Sequence, residues 1–236
     1  MATTGTNIFT VTRDDIIKAS LRVLGVIGVG ETPITEDYEN CSQALNIMIK
    51  SWSKKGLPLW VTQDVLVPTV VGVNAYVLGP TAAGAGSVVM SKPLRVIEAF
   101  IRTSDGQDTP LETLSRQEYL QHSQKTIPGI PNQFYYDVAE PNGTLYVYNT
   151  PISATDEIHL QIQRQFFDMT TGTDNFDFPQ EWFQALKWGL AAELSIEYGI
   201  DIQLISYYEQ KAATTLVDCF DASVEEASVY FSVREN

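Results

Sequence analysis

Apolar positions change their period twice along this chain. In the first stretch Ile16, Ile17, Leu21 and Leu24 recur at helical spacing, with Ser20 on the same face. Thr12 is placed to cap that helix, Asp14 and Asp15 suit its positive end, and Gly25 stops it. A glycine-rich loop, GVIGVGETP, follows. A second helix is predicted from near Thr35, with Tyr38, Cys41, Leu45, Met48, Ile49 and Trp52 on one face. Lys54 and Lys55 suit its C-terminal end and Gly56 ends it.

From Leu57 the pattern is that of strands. LPLWVTQDVLVPTVVGVNAYVLG is a valine-rich run cut by proline and glycine, and PLRVIEAFIR reads as a further strand. GPTAAGAGSVVMSKP reads as a loop and SDGQDTP as a turn. LSRQEYLQ carries a capping box, Ser115 with Glu118, for one short helix. QFYYDV and LYVYN make a hairpin, with Asn142-Gly143 as the expected tight turn. In DEIHLQIQRQF, Ile158, Leu160, Ile162 and Phe166 point one way; Glu157, His159, Gln161, Gln163 and Gln165 point the other.

Helical spacing returns in FDFPQEWFQALKWGLAAELSIEYGIDI. Pro179 opens this helix and Gly199 closes it. Trp182, Leu186, Trp188, Leu190, Leu194 and Ile196 cover most of its circumference, so it needs cover on several sides. A last helix begins at Asp201, with Leu204, Ile205, Tyr208, Ala212, Leu216 and Cys219 on one side. The order helices, strands, helices predicts an α+β fold: a helical bundle built from both chain ends, with an inserted antiparallel β-rich module. The expected boundaries are 1–56 and 175–221 for the helical core, 57–174 for the module, and 222–236 for a C-terminal extension.

Composition narrows the functions. The chain has 236 residues, 44% hydrophobic, enough for a sizeable core. Its net charge of −14 disfavours wrapping of nucleic acid through a basic face, while an acidic wall lets DNA pass without gripping it. Cys41 and Cys219 read as buried thiols. The start, MATTGTNIFTV, does not read as a signal peptide, and no stretch approaches the roughly 20 apolar residues of a membrane span. Synthesis in a cytoplasm is the expectation.

Candidate chemistry is sparse. His122 and His159 have no Cys, His or acidic neighbour at metal-ligand spacing. The glycine runs lack both the dinucleotide order and the phosphate-loop lysine. Asp137 with Glu140, or Glu157, supplies the only carboxylates considered for a hydrolase reading, and nothing in the sequence singles them out. The aromatic hairpin Phe134, Tyr135, Tyr136, Tyr146, Tyr148 has two readings: cross-strand packing, or a sugar-stacking platform that makes the chain a carbohydrate-binding β-module on a helical base.

Two features point instead to protein contacts. Glu193 and Glu197 lie one turn apart on the apolar helix near Trp182, and are costly if buried unpaired. Arg13, Arg22 or Lys50, basic groups of a neighbouring subunit, or water can satisfy them. Trp182, Trp188, Glu193 and Glu197 are therefore the expected subunit-interface residues. The apolar cluster Val229, Tyr230, Phe231 and Val233 near the C-terminus has three readings: folding back, disorder, or docking on another protein as an added strand.

The segment DDIIKASLRVLGVIGVGETPITEDYENCSQALNIMIKSWSKKGL resembles the start of head-to-tail adaptor proteins of short-tailed phages, the packaged-DNA stabilisation and tail tubular protein A group. The marks are a leading helix ending in Leu-Gly, a Pro/Thr loop and a helix of the form ALNxMIxxW. KPLRVIEAFIR, PLETLSRQEYL, GIPNQFYYD, GTLYVYNTP and IHLQIQRQF are similar to the inserted β-module of longer members, and the later apolar helix to the form FPxEWxxALxxxLAxxLxxxYG. The resemblance spans about residues 11–215. It implies a structural protein of the virion neck with no catalytic centre, metal or cofactor. It further implies a ring of about twelve copies under the portal protein, extending the DNA channel. Such a ring retains packaged DNA, lets double-stranded DNA pass without specific binding, and docks tail or nozzle proteins. The tail's resemblance-implied role is portal binding through Val229, Tyr230, Phe231 and Val233.

Overall fold

The computed structural model describes residues 9–52 and 61–222. Gly56, Lys54, Lys55 and the four apolar tail residues singled out above lie outside the described residues. The protein combines helices with two sheets rich in antiparallel pairs, an α+β architecture. It divides into two compact units. One draws on Met1–Leu59 and Phe166–Asn236, the other on Trp60–Gln165.

In the first unit, α1 (Arg13–Leu24) starts at a complete capping box. The Thr12 hydroxyl accepts the Asp15 N–H, and the Asp15 carboxylate accepts the Thr12 N–H. Gly25 ends α1 in the left-handed region (φ 74°), with the paired backbone bonds Gly25 N–H to Arg22 and Val26 N–H to Leu21. α2 (Thr35–Trp52) buries Cys41, Leu45, Met48, Ile49 and Trp52, the stripe its sequence pattern predicts. The apolar helix is shorter than its sequence pattern. A 3-10 turn over Gln180–Trp182 leads into α4 (Phe183–Ser195), and the chain closes at Gly199 (φ 65°) through Gly199 N–H to Ile196 and Ile200 N–H to Ser195. α5 (Ile202–Ala222) buries Tyr208, Leu216 and Cys219, but leaves Leu204, expected on that face, 48% exposed.

α4 packs on α1, α2 and α5. Its contact with α2 depends on Gly189, where a Cβ would come 2.8 Å from Met48 Sδ and 3.0 Å from Trp52. Its contact with α1 passes through the buried Ser20, whose hydroxyl is shared between the carbonyls of Ile16 (2.9 Å) and Lys187 (3.0 Å). The boundary between the units falls earlier than residue 174. Asn46 exchanges two hydrogen bonds with the Met169 backbone, and Lys50 pairs with Asp168 at 2.8 Å. Phe166, expected on a strand face, instead stacks on Phe178 at 4.9 Å.

The second unit holds β1 (Thr62–Pro68), β2 (Ala75–Gly79), β3 (Val88–Val89), β4 (Arg95–Arg102), β5 (Asp108–Pro110), β6 (Glu112–Thr113), β7 (Gln133–Asp137), β8 (Gly143–Tyr148) and β9 (Glu157–Gln163), with the short α3 (Arg116–Gln121) after β6. They form a four-stranded sheet in the order β1-β9-β4-β5 and a five-stranded sheet in the order β3-β2-β8-β7-β6. One core joins both sheets: Val65, Val67, Ala99, Ile101, Ile158 and Leu160 from the first, Tyr76, Leu78, Phe134, Leu145 and Val147 from the second. Alternation along β9 puts Ile158, Leu160 and Ile162 in that core, and Gln163 is buried with them. Asn142-Gly143 does not form the expected two-residue turn. Gly143 is already in β8, and it must be glycine for another reason: a Cβ there would lie 1.9 Å from the Tyr136 hydroxyl that crosses it. That hydroxyl donates to the Pro93 carbonyl at 3.0 Å.

Asp174 anchors the return of the chain beside α1. Its carboxylate accepts the N–H groups of Thr170 and Thr171, both at 2.7 Å, and the Thr171 hydroxyl. Its carbonyl accepts the Arg13 N–H. The hydrogen bonds from Thr171 and Thr170 pull the Asp174 pKa down to about 2, from an ordinary 3.8. A depressed carboxylate contributes stability that is complete above its unfolded value and is lost as pH falls through the folded one. An NMR titration of the side-chain carboxyl should find Asp174 ionised until about pH 2; a midpoint at 3.8 would rule out this clamp.

Candidate interaction surfaces

The expected interface residues on and beside α4 have different surroundings. Trp182 is 1% exposed, enclosed in its own unit by Trp52 (ring centroids 6.1 Å), Phe178 (5.6 Å) and Phe220 (5.0 Å). A residue so covered has almost no surface to offer a neighbour. Trp188 is half-buried, edge-on to Tyr207 and tilted against Tyr208, each at 6.2 Å. Glu193 and Glu197 are exposed, and among the described residues neither makes an ion pair.

The cations considered for those acids are turned elsewhere. Arg13 bonds to Asp14, Ser42 and the Thr170 carbonyl. Lys50 holds Asp168 and the Phe166 carbonyl. Arg22 donates to the Lys18 carbonyl. Glu197 and Asp37 of α2 both act on the Cys41 thiol, and Asp37 accepts the Tyr198 hydroxyl at 2.8 Å. Burial and that bond hold the Tyr198 phenol well above its ordinary pKa, so it stays a donor. Burial likewise raises the thiols of Cys41 and Cys219; both are buried, and the Cys219 thiol meets the Glu181 carbonyl at 3.5 Å.

A basic group that the sequence reading passed over stands out in the structure. Lys187 lies between α1 and α5, over the Trp188 ring at 5.2 Å. Burial, then the nearby charges of Arg22 and Lys211, lower its pKa. A lone lysine on an apolar helix is ordinary in sequence. Only the packing of three helices brings these three cations to one seam.

The tyrosine-rich hairpin is occupied by its own chain. Tyr135 and Tyr146 are opposite one another on β7 and β8, stacked at 6.0 Å, and Tyr119 of α3 lies over both, at 5.6 and 5.2 Å. His122 stacks on Tyr148 at 4.0 Å. Phe134 and Tyr136 point into the core side. The ring faces that a sugar would need are thus used for cross-strand and helix-on-sheet packing. His159 stacks flat on Phe100 at 4.7 Å and has Glu157 3.6 Å away, beside a hollow of about 190 Å³ lined also by Asp64, Glu98 and Gln161. Asp137 accepts the Tyr135 hydroxyl, and Glu140 pairs with Lys92. The carboxylates considered for hydrolysis thus belong to separate local contacts. Among the described residues, no three His, Cys, Asp or Glu side chains converge as metal ligands.

A second hollow, of about 560 Å³, lies in the helical unit where Phe9, Val11, Phe176, Phe178, Pro179 and Phe183 meet. Phe9 is 66% exposed and meets Phe183 edge-on at 6.2 Å.

Comparison with protein families gives a match over nearly the whole chain. The family model described as SU10 adaptor protein covers residues 11–229. No curated protein matches the chain.

The enclosure of Trp182 sets a stability expectation. Trp182→Ala should cost about 3–5 kcal/mol in a chemical-denaturation measurement of the helical unit. A loss below about 1 kcal/mol would mean that the aromatic cage around it does not carry the fold.

Proposed function

We propose, on the premise that the chain belongs to the SU10 adaptor protein family, that it is a structural head-to-tail adaptor of the phage neck. The family match along nearly the whole chain carries this reading. In it, the helices from both chain ends form the bundle that serves as the adaptor core, and the two-sheet unit is the inserted module that faces tail parts. Copies arranged as a ring under the portal protein extend the DNA channel, retain the packaged genome and present a platform for tail or nozzle proteins.

Several observations support the proposal. The −14 net charge suits a channel wall that passes duplex DNA without holding it. The side chains with chemical potential are spent on structure: both cysteines are buried, both histidines are stacked on rings, and the outward tyrosines are covered by α3. No helix among the described residues is long and apolar enough to cross a membrane. The subunit contact in this reading runs through Trp188, Glu193 and Glu197, with Trp182 supporting α4 from within.

The proposed portal contact is the C-terminal segment with Val229, Tyr230, Phe231 and Val233. Native mass spectrometry of the protein mixed with the portal of its phage should give a particle heavier than the portal by a ring of copies. Ending the chain after Asp221 should weaken that binding by about tenfold or more while the helical content is kept, the loss expected when an added strand and its anchors are removed. Full binding by the shortened chain would remove the tail-docking part of the proposal. No binding by the full chain would remove the adaptor reading itself.

A further inference from the structure

The seam of α1, α4 and α5 gathers positive charge in a chain that has 29 acidic and only 15 basic residues. Three hydrogen-bonded or ring contacts fix the seam: Ser20 to the Lys187 carbonyl, the Tyr208 hydroxyl to the Val23 carbonyl at 3.1 Å, and Trp188 against Tyr207 and Tyr208. Arg22, Lys187 and Lys211 therefore share one neighbourhood. Among the described residues none of the three has a carboxylate partner. Three cations held together repel one another, and an anion from outside relieves that repulsion.

The same unit carries the complement at another edge. Glu193 and Glu197 stand exposed at the C-terminal end of α4, and Glu197 acts, together with Asp37, on the Cys41 thiol of α2. Their edge is thus the α2 side, away from the α5 seam. Each patch lacks what the other has.

We propose that the Arg22, Lys187 and Lys211 cluster of one copy receives Glu193 and Glu197 of the next copy, with Trp188 and Tyr207 as the apolar anchor beside the charges. The inference rests on the ring reading above and names the surfaces that make the ring. Two different patches meeting gives a head-to-tail contact, which closes on itself by rotation. Tyr207 is 53% exposed and Trp188 half-buried next to it, the residue types that dominate such contacts. Charges at the rim steer the encounter and weaken it in salt. A second copy is favoured over duplex DNA because every copy that carries the cations also carries, at the end of α4 and just beyond it, the exposed Glu193 and Glu197, which among the described residues make no ion pair.

Sedimentation velocity on the full chain tests this with two reversed proteins. One carries Arg22→Glu, Lys187→Glu and Lys211→Glu; the other carries Glu193→Lys and Glu197→Lys. All the changed groups reach the surface, and circular dichroism checks that both proteins fold; Lys187→Gln replaces the triple change if that one does not. At low salt the unaltered chain should self-associate, each reversed protein alone should do so about tenfold or more weakly, and an equal mixture of the two should regain association. Association by either reversed protein alone at the unaltered level would overturn the proposal. So would a mixture that stays monomeric, or an unaltered chain that stays monomeric at low salt. A gel shift with a short duplex that the triple reversal abolishes, with self-association unchanged, would overturn it in favour of DNA. Portal binding is measured separately, so its loss with the charge pattern intact counts only against the adaptor reading.

Discussion

An apolar helix of thirteen residues, α4, cannot leave its sides in water, and the rest of the helical unit is arranged around that demand. Leu186, Leu190 and Leu194 are fully buried, each contributing about 1.5–3 kcal/mol of transfer free energy. The covering surfaces are the single apolar stripes of α1, α2 and α5, none of which can bury itself. Two of the three covers come from the first quarter of the chain and the third from its last. The long-range contacts of this unit follow from that, as do the close approaches at Gly189 and Ser20. The cover is supplied within one chain on all three flanks. What this leaves uncovered are the ends and seams of α4, where Trp188 is half-buried and Glu193 exposed.

The β-unit solves a different problem with different means. Two sheets bury their inner faces on each other, and the outer face at β7 and β8 is covered by six residues of helix carrying Tyr119. Aromatic rings stack on aromatic rings there, and a histidine is treated as one more flat ring. Side chains that elsewhere bind or catalyse here serve packing.

Much of this was legible from periodicity and punctuation. Thr12 and Gly25 bound α1, Ser115 and Glu118 open α3, and alternation fixed which face of β9 is buried, because each of these signals is local. The misses share a cause in tertiary context. Asn142-Gly143 has the composition of a tight turn, but Gly143 is required by a tyrosine seven residues earlier that lies across it. Leu204 fits the buried stripe of α5 by angle, yet sits in its first turn and stays exposed. Phe166 continues the alternation of β9 on paper, while the chain has already left the strand to stack on Phe178. For the candidate contact surface, Glu193 and Glu197 were visible as misplaced charges on a greasy helix. Arg22 was visible only as a possible partner of those acids within the chain, and its grouping with Lys187 and Lys211 was not, since residues 22, 187 and 211 become neighbours only when three helices pack.

The first and last strands of the β-unit are paired to each other, Thr62 opposite Gln163, and the Arg164 N–H meets the Val61 carbonyl at 3.0 Å. The excursion between them thus begins and ends at the same doorway. A change of length within that stretch would leave both points of attachment where they are, because the strand pair that holds them closes the base of the unit.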